Sequence, residues 1–277
     1  MKLLLFTTDP SLFGLDRHWA AEDRPLAVVV PANRLGTKKV AAVQAAAQPR
    51  GLPVLVQPPA GNGAVEAFDQ ALRGLGAEVG ISWLYAQRLP ASTLAVLPRG
   101  ILNLHGGRLP AYRGASVLQW SIINGETELG VTWHSMVEAV DAGPIWAEST
   151  VRIEPHETAW TVRAKMLTEG TRLFGECWPR FKSGQGAPVV PSLGGGRVWP
   201  QRTPADSALP AGLSERQLRD FIRALCPPWP RPFLAQGPKR YEVLGLWEAP
   251  GGGREAATLP YRLADGRQVR LVVQEGG

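Results

Sequence analysis

Cysteine is nearly missing from this 277-residue chain: there are two, Cys177 and Cys226. Neither belongs to a Cys-x-x-Cys or a His/Cys cluster, so no disulfide framework and no zinc site is indicated, and both read as buried, reduced thiols. Long apolar runs are missing as well. The opening stretch Leu3 to Phe6 stops at Thr7-Thr8-Asp9-Pro10, too soon for a signal peptide or a membrane span, which predicts a cytoplasmic protein with no membrane partner. Basic runs are lacking too. Lys and Arg total 30 against 24 Asp and Glu, giving +6, but the arginines are scattered singly, as on a solvated surface rather than a polyanion-binding face. The segment Thr7 to Gly14 lacks the G-x-G-x-x-G spacing that brings backbone close to a pyrophosphate, which argues against a dinucleotide dehydrogenase.

What remains is an ordinary globular composition, 44% hydrophobic, long enough for one large domain and a small appendage. Short apolar runs at Lys2 to Thr7, Leu26 to Val30, Pro53 to Val56, Val79 to Leu84 and Ile101 to His105 read as buried strands. Lys38 to Gln48 and Gly63 to Leu75 fit crossover helices, so the fold class is α/β, a doubly wound, mostly parallel sheet. A helix N-capped by Thr158 and carrying Val162, Met166, Leu173, Phe174, Cys177 and Phe181 closes the first domain. The spacing places that domain at 1–184, a Gly/Pro/Ser-rich linker at 185–212 and a small C-terminal β-rich domain at 213–277. The last begins with a capping box of Ser214 and Gln217. Strands at Tyr241 to Trp247, Thr258 to Leu263 and Val269 to Gln274 follow, with turns at Pro250 to Gly253 and Asp265-Gly266.

The chemistry concentrates in Ile101 to Gly114. In extended chain, positions i and i+2 share a face, so Asn103 and His105 point the same way at the carboxyl end of the fifth strand, where such sheets bind ligands. Gly106 and Gly107 permit close backbone approach, and Leu109-Pro110-x-Tyr112-Arg113-Gly114 makes a stiff, polar-tipped loop. A helix over Ser116 to Asn124 and a strand over Gly130 to Met136 lead to Val140-Asp141-Ala142-Gly143, whose Asp is within reach of His105. An amide, an imidazole and a carboxylate would then converge.

These segments, Asn103-Leu104-His105, Leu109 to Gly114, Asn124-Gly125-Glu126 and Asp141-Ala142-Gly143, resemble in kind and order those of the folate-dependent formyltransferase family. The resemblance is strongest from Val79 to Ile153. It runs on more weakly through Gln201 to Asp206 and Pro228 to Phe233, which resemble the family's second, OB-like domain. It implies a Rossmann-like core and an N-formyltransferase that uses 10-formyltetrahydrofolate. Asn103 would stabilise the oxyanion, His105 would be the base and Asp141 would orient it, with no metal required. The folate pocket would map to Ser82, Trp83, Leu84, Tyr85 and Leu89 with Val137, Val140 and Asp141. The acceptor would meet Gly106, Gly107, Arg108, Tyr112, Arg113 and Gly114.

Among the family's acceptors, the compact stretch Val30 to Lys39 weighs against aminoacylated tRNA, and nucleic acid is not expected as a partner. The segments around His105, Asn124 and Asp141 look most like those of enzymes acting on amino-sugar nucleotides. A hydroxyornithine-type siderophore precursor, a non-catalytic folate-binding module and a formyltetrahydrofolate hydrolase stay open. A homodimer is compatible with the sequence. Where the family usually carries Ser-Leu-Leu-Pro this chain has Gly107-Arg108-Leu109-Pro110, and Arg108 fits a phosphate or carboxylate of the acceptor. His134 shares a strand face with Thr132 and is given no role.

Overall fold

The computed structural model describes residues 1–61, 63–192, 194, 196–247 and 257–276. Along the chain lie β1 (Lys2–Thr7), β2 (Arg24–Pro31), α1 (Lys38–Ala47), β3 (Val54–Gln57), α2 (Ala64–Leu75), β4 (Val79–Trp83) and the short α3 (Ala91–Leu94). Then follow β5 (Ile101–His105), β6 (Tyr112–Gly114), α4 (Val117–Ile123), β7 (Glu128–Ser135), β8 (Ile145–Arg152), α5 (Ala159–Ser183) and β9 (Arg197–Trp199). The chain ends with α6 (Glu215–Ala224), β10 (Phe233–Gln236), β11 (Lys239–Leu246), β12 (Thr258–Arg262) and β13 (Gln268–Glu275). Contacts divide the chain into two compact units, one of 1–113, 130–150 and 166–197, the other of 114–129, 151–165 and 198–277.

The first unit is built on a seven-stranded sheet in the order β3-β2-β1-β4-β5-β7-β8, parallel from β3 to β5 and antiparallel between β5 and β7. Its apolar runs are continuous because both faces are covered. Leu4 and Phe6 point with Ala27, Val29 and Ile101 into a cluster completed by Phe68 and Leu72 of α2. The alternate residues Leu3 and Leu5 are equally buried. On the α5 side Trp133 packs on Phe174, Phe174 stacks on Trp178, and the Trp133 indole donates to Gly170 O at 2.8 Å. The chain leaves β1 for β2 on one side and for β4 on the other, so the strand order reverses at β1, and ligand crevices of such sheets lie beyond the carboxyl ends near that reversal. Cys177 is buried, its thiol pushed up to about 12 by that burial.

Within the second unit α4 packs on α6. Arg216 Nη2 donates to Gly125 O at 2.7 Å, and Arg223 Nη1 donates to Glu154 O and Glu157 O at 3.1 and 3.0 Å. The Ser214/Gln217 capping box starts α6 as its sequence foretells. The C-terminal strands form an antiparallel sheet in the order β10-β11-β13-β12, burying Val243, Leu271 and Val273.

Four readings change. The compact units interleave, because α4 and the segment 151–165 pack with α6; the sequence-based division is sequential. The stretch 185–212 is more than a linker, since it holds β9 and a 3-10 turn, Pro204–Ser207, capped by Thr203 and Asp206. A fourth C-terminal strand, β10, hides behind Pro228, Pro230 and Pro232, residues that read as turn formers. Cys226 is only half-buried. The turn expected at Pro250 to Gly253 lies outside the described residues.

Candidate active site

Period-two alternation in β5 carries the site. Ile101 packs into the core, so Asn103 and His105 fall on the same face two and four residues on, past the apolar cover. Cross-strand register adds neighbours: Ser82 of β4 stands opposite Asn103, and His134 and Thr132 of β7 stand opposite Asn103 and His105. Paired residues project to one side, so a row of polar side chains crosses three strands.

Asp141 completes the group from the loop after β7. Its Oδ2 lies 3.4 Å from His105 Nδ1 and its Oδ1 lies 3.4 Å from His134 Nε2. Asn103 Nδ2 is 3.0 Å from the same His134 Nε2. The loop reaches this position through two backbone devices. Asp141 adopts φ +46, a left-handed conformation that costs a non-glycine residue about 1 kcal/mol. Two residues on, Gly143 lies so close to Ser135 O that a Cβ would collide with that carbonyl. The Asp-x-Gly spacing therefore has a steric reason as well as a chemical one.

His105 is 6% exposed, and its Nε2 lies 2.6 Å from Tyr112 O. A carbonyl oxygen only accepts, so Nε2 carries the proton and donates to Tyr112. Nδ1, facing Asp141, is the nitrogen left to gain or lose a proton. Burial holds the imidazole below its ordinary 6.5; Asp141 pulls the other way, His134 adds to the lowering and Tyr112 O opposes it.

The loop beyond β5 is held by contacts of the same kind. A Cβ on Gly107 would lie 2.6 Å from Tyr112 O and 2.7 Å from His105 Nε2, so glycine keeps the His105–Tyr112 bond possible. Thr132 Oγ1 donates to Gly107 O at 3.0 Å. Gly106 lies against Met166. Arg108 is exposed at a cavity of about 310 Å³ that Thr132, Glu148, Ser149 and Thr150 also line. Arg113 Nη2 donates to Gly196 O at 3.4 Å, while its buried Nε has no partner among the described residues. Gly114, at φ +98, falls in the second unit, against Trp199.

The residues assigned to the folate pocket separate into two kinds. Trp83 is fully buried against Trp133 with its indole donating to Ser11 Oγ at 2.9 Å, and Leu89 is in the core. The Tyr85 hydroxyl donates to Gln57 Oε1 at 2.6 Å, its ring edge meets Phe6, and burial pushes its pKa up. Leu84 ends β4 at φ +50, one residue earlier than the apolar run suggests, and its carbonyl accepts from Thr8 Oγ1 at 2.6 Å. Val137 and Val140 are exposed on the Asp141 loop. Ser82 Oγ is buried beside Asn103 with no hydrogen-bond partner among the described residues.

The model of one protein family, described as formyl transferase, matches residues 3–177, the stretch that contains this whole arrangement. The chain belongs to the formyl transferase family. Solved structures share the fold along nearly all of its length. A 4-N formyltransferase from Francisella tularensis is 17% identical, with 100% of this chain and 98% of that one covered and a TM-score of 0.68. The methionyl-tRNA formyltransferase from Clostridium thermocellum is 14% identical, with 99% of each chain covered and a TM-score of 0.62. HypX from Aquifex aeolicus in complex with tetrahydrofolic acid is 17% identical at a TM-score of 0.64; all of this chain is covered, but it spans only 44% of HypX. Identities this low establish a common fold.

In this member of the family, Asn103, His105 and Asp141 do come together, and Tyr112 joins them through its carbonyl rather than its ring. The sequence reading passed over His134, which is 1% exposed and touches both Asn103 and Asp141. A signal was present: His134 precedes Asp141 on a strand whose other residues on that face are buried, and antiparallel pairing brings it opposite Asn103. The pairing partner of β7 is decided by tertiary structure, so that signal was mute in one dimension.

Proposed function

We propose that this chain transfers a formyl group from 10-formyltetrahydrofolate to the primary amine of an amino-sugar nucleotide. The observation that carries the reading is the convergence of an amide donor, a buried imidazole and a carboxylate at the carboxyl end of β5 in a formyl transferase. The amine nitrogen attacks the formyl carbon, and the carbonyl oxygen gains charge as the carbon becomes tetrahedral. Asn103 Nδ2 donates to that oxygen, a role worth about 3 to 4 kcal/mol in comparable sites. With Tyr112 O holding the Nε2 proton, His105 Nδ1 and Asp141 form the pair that takes the proton from the amine, and the same proton serves N10 of the departing tetrahydrofolate. Amide and imidazole supply the polarisation and the proton transfer, so the reaction needs no metal ion, and EDTA should leave the rate unchanged.

The folate co-substrate lies along Ser82 to Leu89 and Val137 to Asp141. Trp83 and Leu89 contribute there as packing, with backbone groups and the exposed Val137 and Val140 facing the ligand. The acceptor lies against Gly106 to Gly114. The Arg108 guanidinium, exposed and without an ion pair among the described residues, fits a phosphate of a nucleotide sugar. The compact Pro31 to Lys38 connection, a single 3-10 turn before α1, speaks against a tRNA acceptor. The enzyme acts in the cytoplasm, as a homodimer or alone.

Pure protein incubated with 10-formyltetrahydrofolate and a panel of amines tests this: 4-amino and 3-amino sugar nucleotides, hydroxyornithine and charged initiator tRNA, each scored for a formyl adduct by mass. A sugar nucleotide modified by the wild type and not by Asn103→Ala supports the reading. Modification of hydroxyornithine or tRNA replaces the acceptor, release of formate without any amine makes the protein a hydrolase, and folate binding without turnover makes it a binding module.

A further inference from the structure

We infer that His134 is a positioning residue that sets the rotation of the Asn103 amide, spending one N–H on the imidazole so that the other is presented to the formyl oxygen. The inference rests on the proposed formyl transfer. It comes from one bond network inside the polar row. His134 Nδ1 lies 3.0 Å from Ser135 O, and a carbonyl oxygen only accepts, so Nδ1 carries the proton. In a neutral ring that makes Nε2 an acceptor. Asn103 Nδ2, which can only donate, lies 3.0 Å from it, nearer than Asp141 Oδ1 at 3.4 Å. Turning the amide over would set its oxygen against the Nε2 lone pair and offer an acceptor to the developing oxyanion.

Among the described residues nothing else holds the amide. Among the described residues His134 is the side-chain partner of Asn103; Ser82 Oγ beside it is unpartnered, and Thr132 Oγ1 is spent on Gly107 O. Burial keeps water from competing, since His134 is 1% exposed. The site therefore wires its two histidines in opposite tautomers, His105 through Nε2–H to Tyr112 and His134 through Nδ1–H to Ser135. An amide fixed in advance needs no reorganisation as charge develops, which is what makes such donors effective.

Two measurements test this. In the intact protein, nitrogen-15 spectra of the histidine rings should find His134 protonated at Nδ1 and bare at Nε2; the reverse overturns the inference whether or not the protein turns over. In the transfer assay, His134→Phe should lower kcat about 10²-fold with KM for 10-formyltetrahydrofolate little changed, the loss expected when one oxyanion donor is misdirected. His134→Gln, whose Oε1 can accept the same N–H, should recover most of that. Because His134 acts through Asn103, Asn103→Ala with His134→Phe should be no slower than Asn103→Ala alone. Multiplying effects, or a His134→Gln protein as slow as His134→Phe, would refute the positioning role. A wild type that transfers no formyl group to any amine sinks the proposed function instead, and the ring spectra still judge the wiring.

Discussion

At the scale of single residues, the site turns on which groups donate: His105 Nε2 to Tyr112 O, His134 Nδ1 to Ser135 O, and Asn103 Nδ2 to His134 Nε2. Asn103→Ala should reduce kcat by about 10² to 10³ while leaving the melting temperature near the wild type, because the side chain spends its hydrogen bonds on the site and not on the core. Equal losses in both would mean that the amide is structural. Asp141→Asn separates charge from backbone. Asparagine tolerates the left-handed φ of +46, so the loop should keep its course while the His105 imidazolium loses its counter-charge, and kcat should fall with little change in stability. Gly107→Ala works through sterics, pressing a methyl on the His105–Tyr112 bond; the expected result is a folded, slow enzyme.

The pH dependence belongs to the same scale. The folded protein holds His105 below 6.5, so between that lowered value and 6.5 the unfolded chain binds more protons than the folded one. Stability therefore rises with pH across this window and is lost as pH falls below about 6.5. Denaturant melts from pH 5 to 8 should show that slope, and His105→Gln should flatten it.

At the scale of elements, α5 joins the far side of the sheet to the start of β2. Asp23, with a fully buried side chain, accepts from Lys182 Nζ at 2.8 Å, Trp178 Nε1 at 2.9 Å and Ala20 N at 3.0 Å. Burial alone would raise its carboxyl, but the bonds from Lys182, Trp178 and Ala20 overcome it and hold the group below its ordinary value. Its contribution is present above pH 3.8 and is lost as pH falls through the lowered value. Asp23→Ala leaves the buried Trp178 N–H without its acceptor, while Lys182 keeps Glu22 at 3.3 Å, at a cost of about 1 to 3 kcal/mol measurable by chemical denaturation. A loss under 1 kcal/mol would mean that α5 is secured by its Trp178 and Phe174 packing alone.

Across the whole molecule, interleaving has a direct consequence. A chain ending at residue 184 keeps α4 but loses α6, on which α4 packs, and also Arg216 and Arg223, which satisfy Gly125, Glu154 and Glu157 carbonyls. Such a truncation should lose cooperative thermal unfolding and aggregate. A sharp transition near the full-length value would restore the sequential domain division instead. No helix among the described residues is long and apolar enough to cross a membrane.

Local chemistry made much of this legible beforehand. Continuous apolar runs marked β1 to β5 because both faces of a parallel sheet are buried; Ser214 and Gln217 marked the start of α6 because a capping box is a contact three residues long. Strand alternation was enough to put Asn103 and His105 on one face, and the formyltransferase-like order of segments was enough to name Asp141. β10 escaped because the prolines at 228, 230 and 232 crowd its start and break any strand alternation, and the hydrogen bonds that make it an edge strand come from β11. His134 escaped because its importance lies in which strand pairs with β7 and which nitrogen Ser135 leaves free. The grouping of 114–129 with α6 escaped because contacts between segments so distant along the chain leave no periodicity. What the sequence determined by itself was the identity of the converging polar groups and the strands that carry them, both properties of neighbours along the chain. Tertiary structure alone decided which ring nitrogen meets which oxygen, since a hydrogen bond depends on tenths of an ångström and on partners that only the folded sheet brings together.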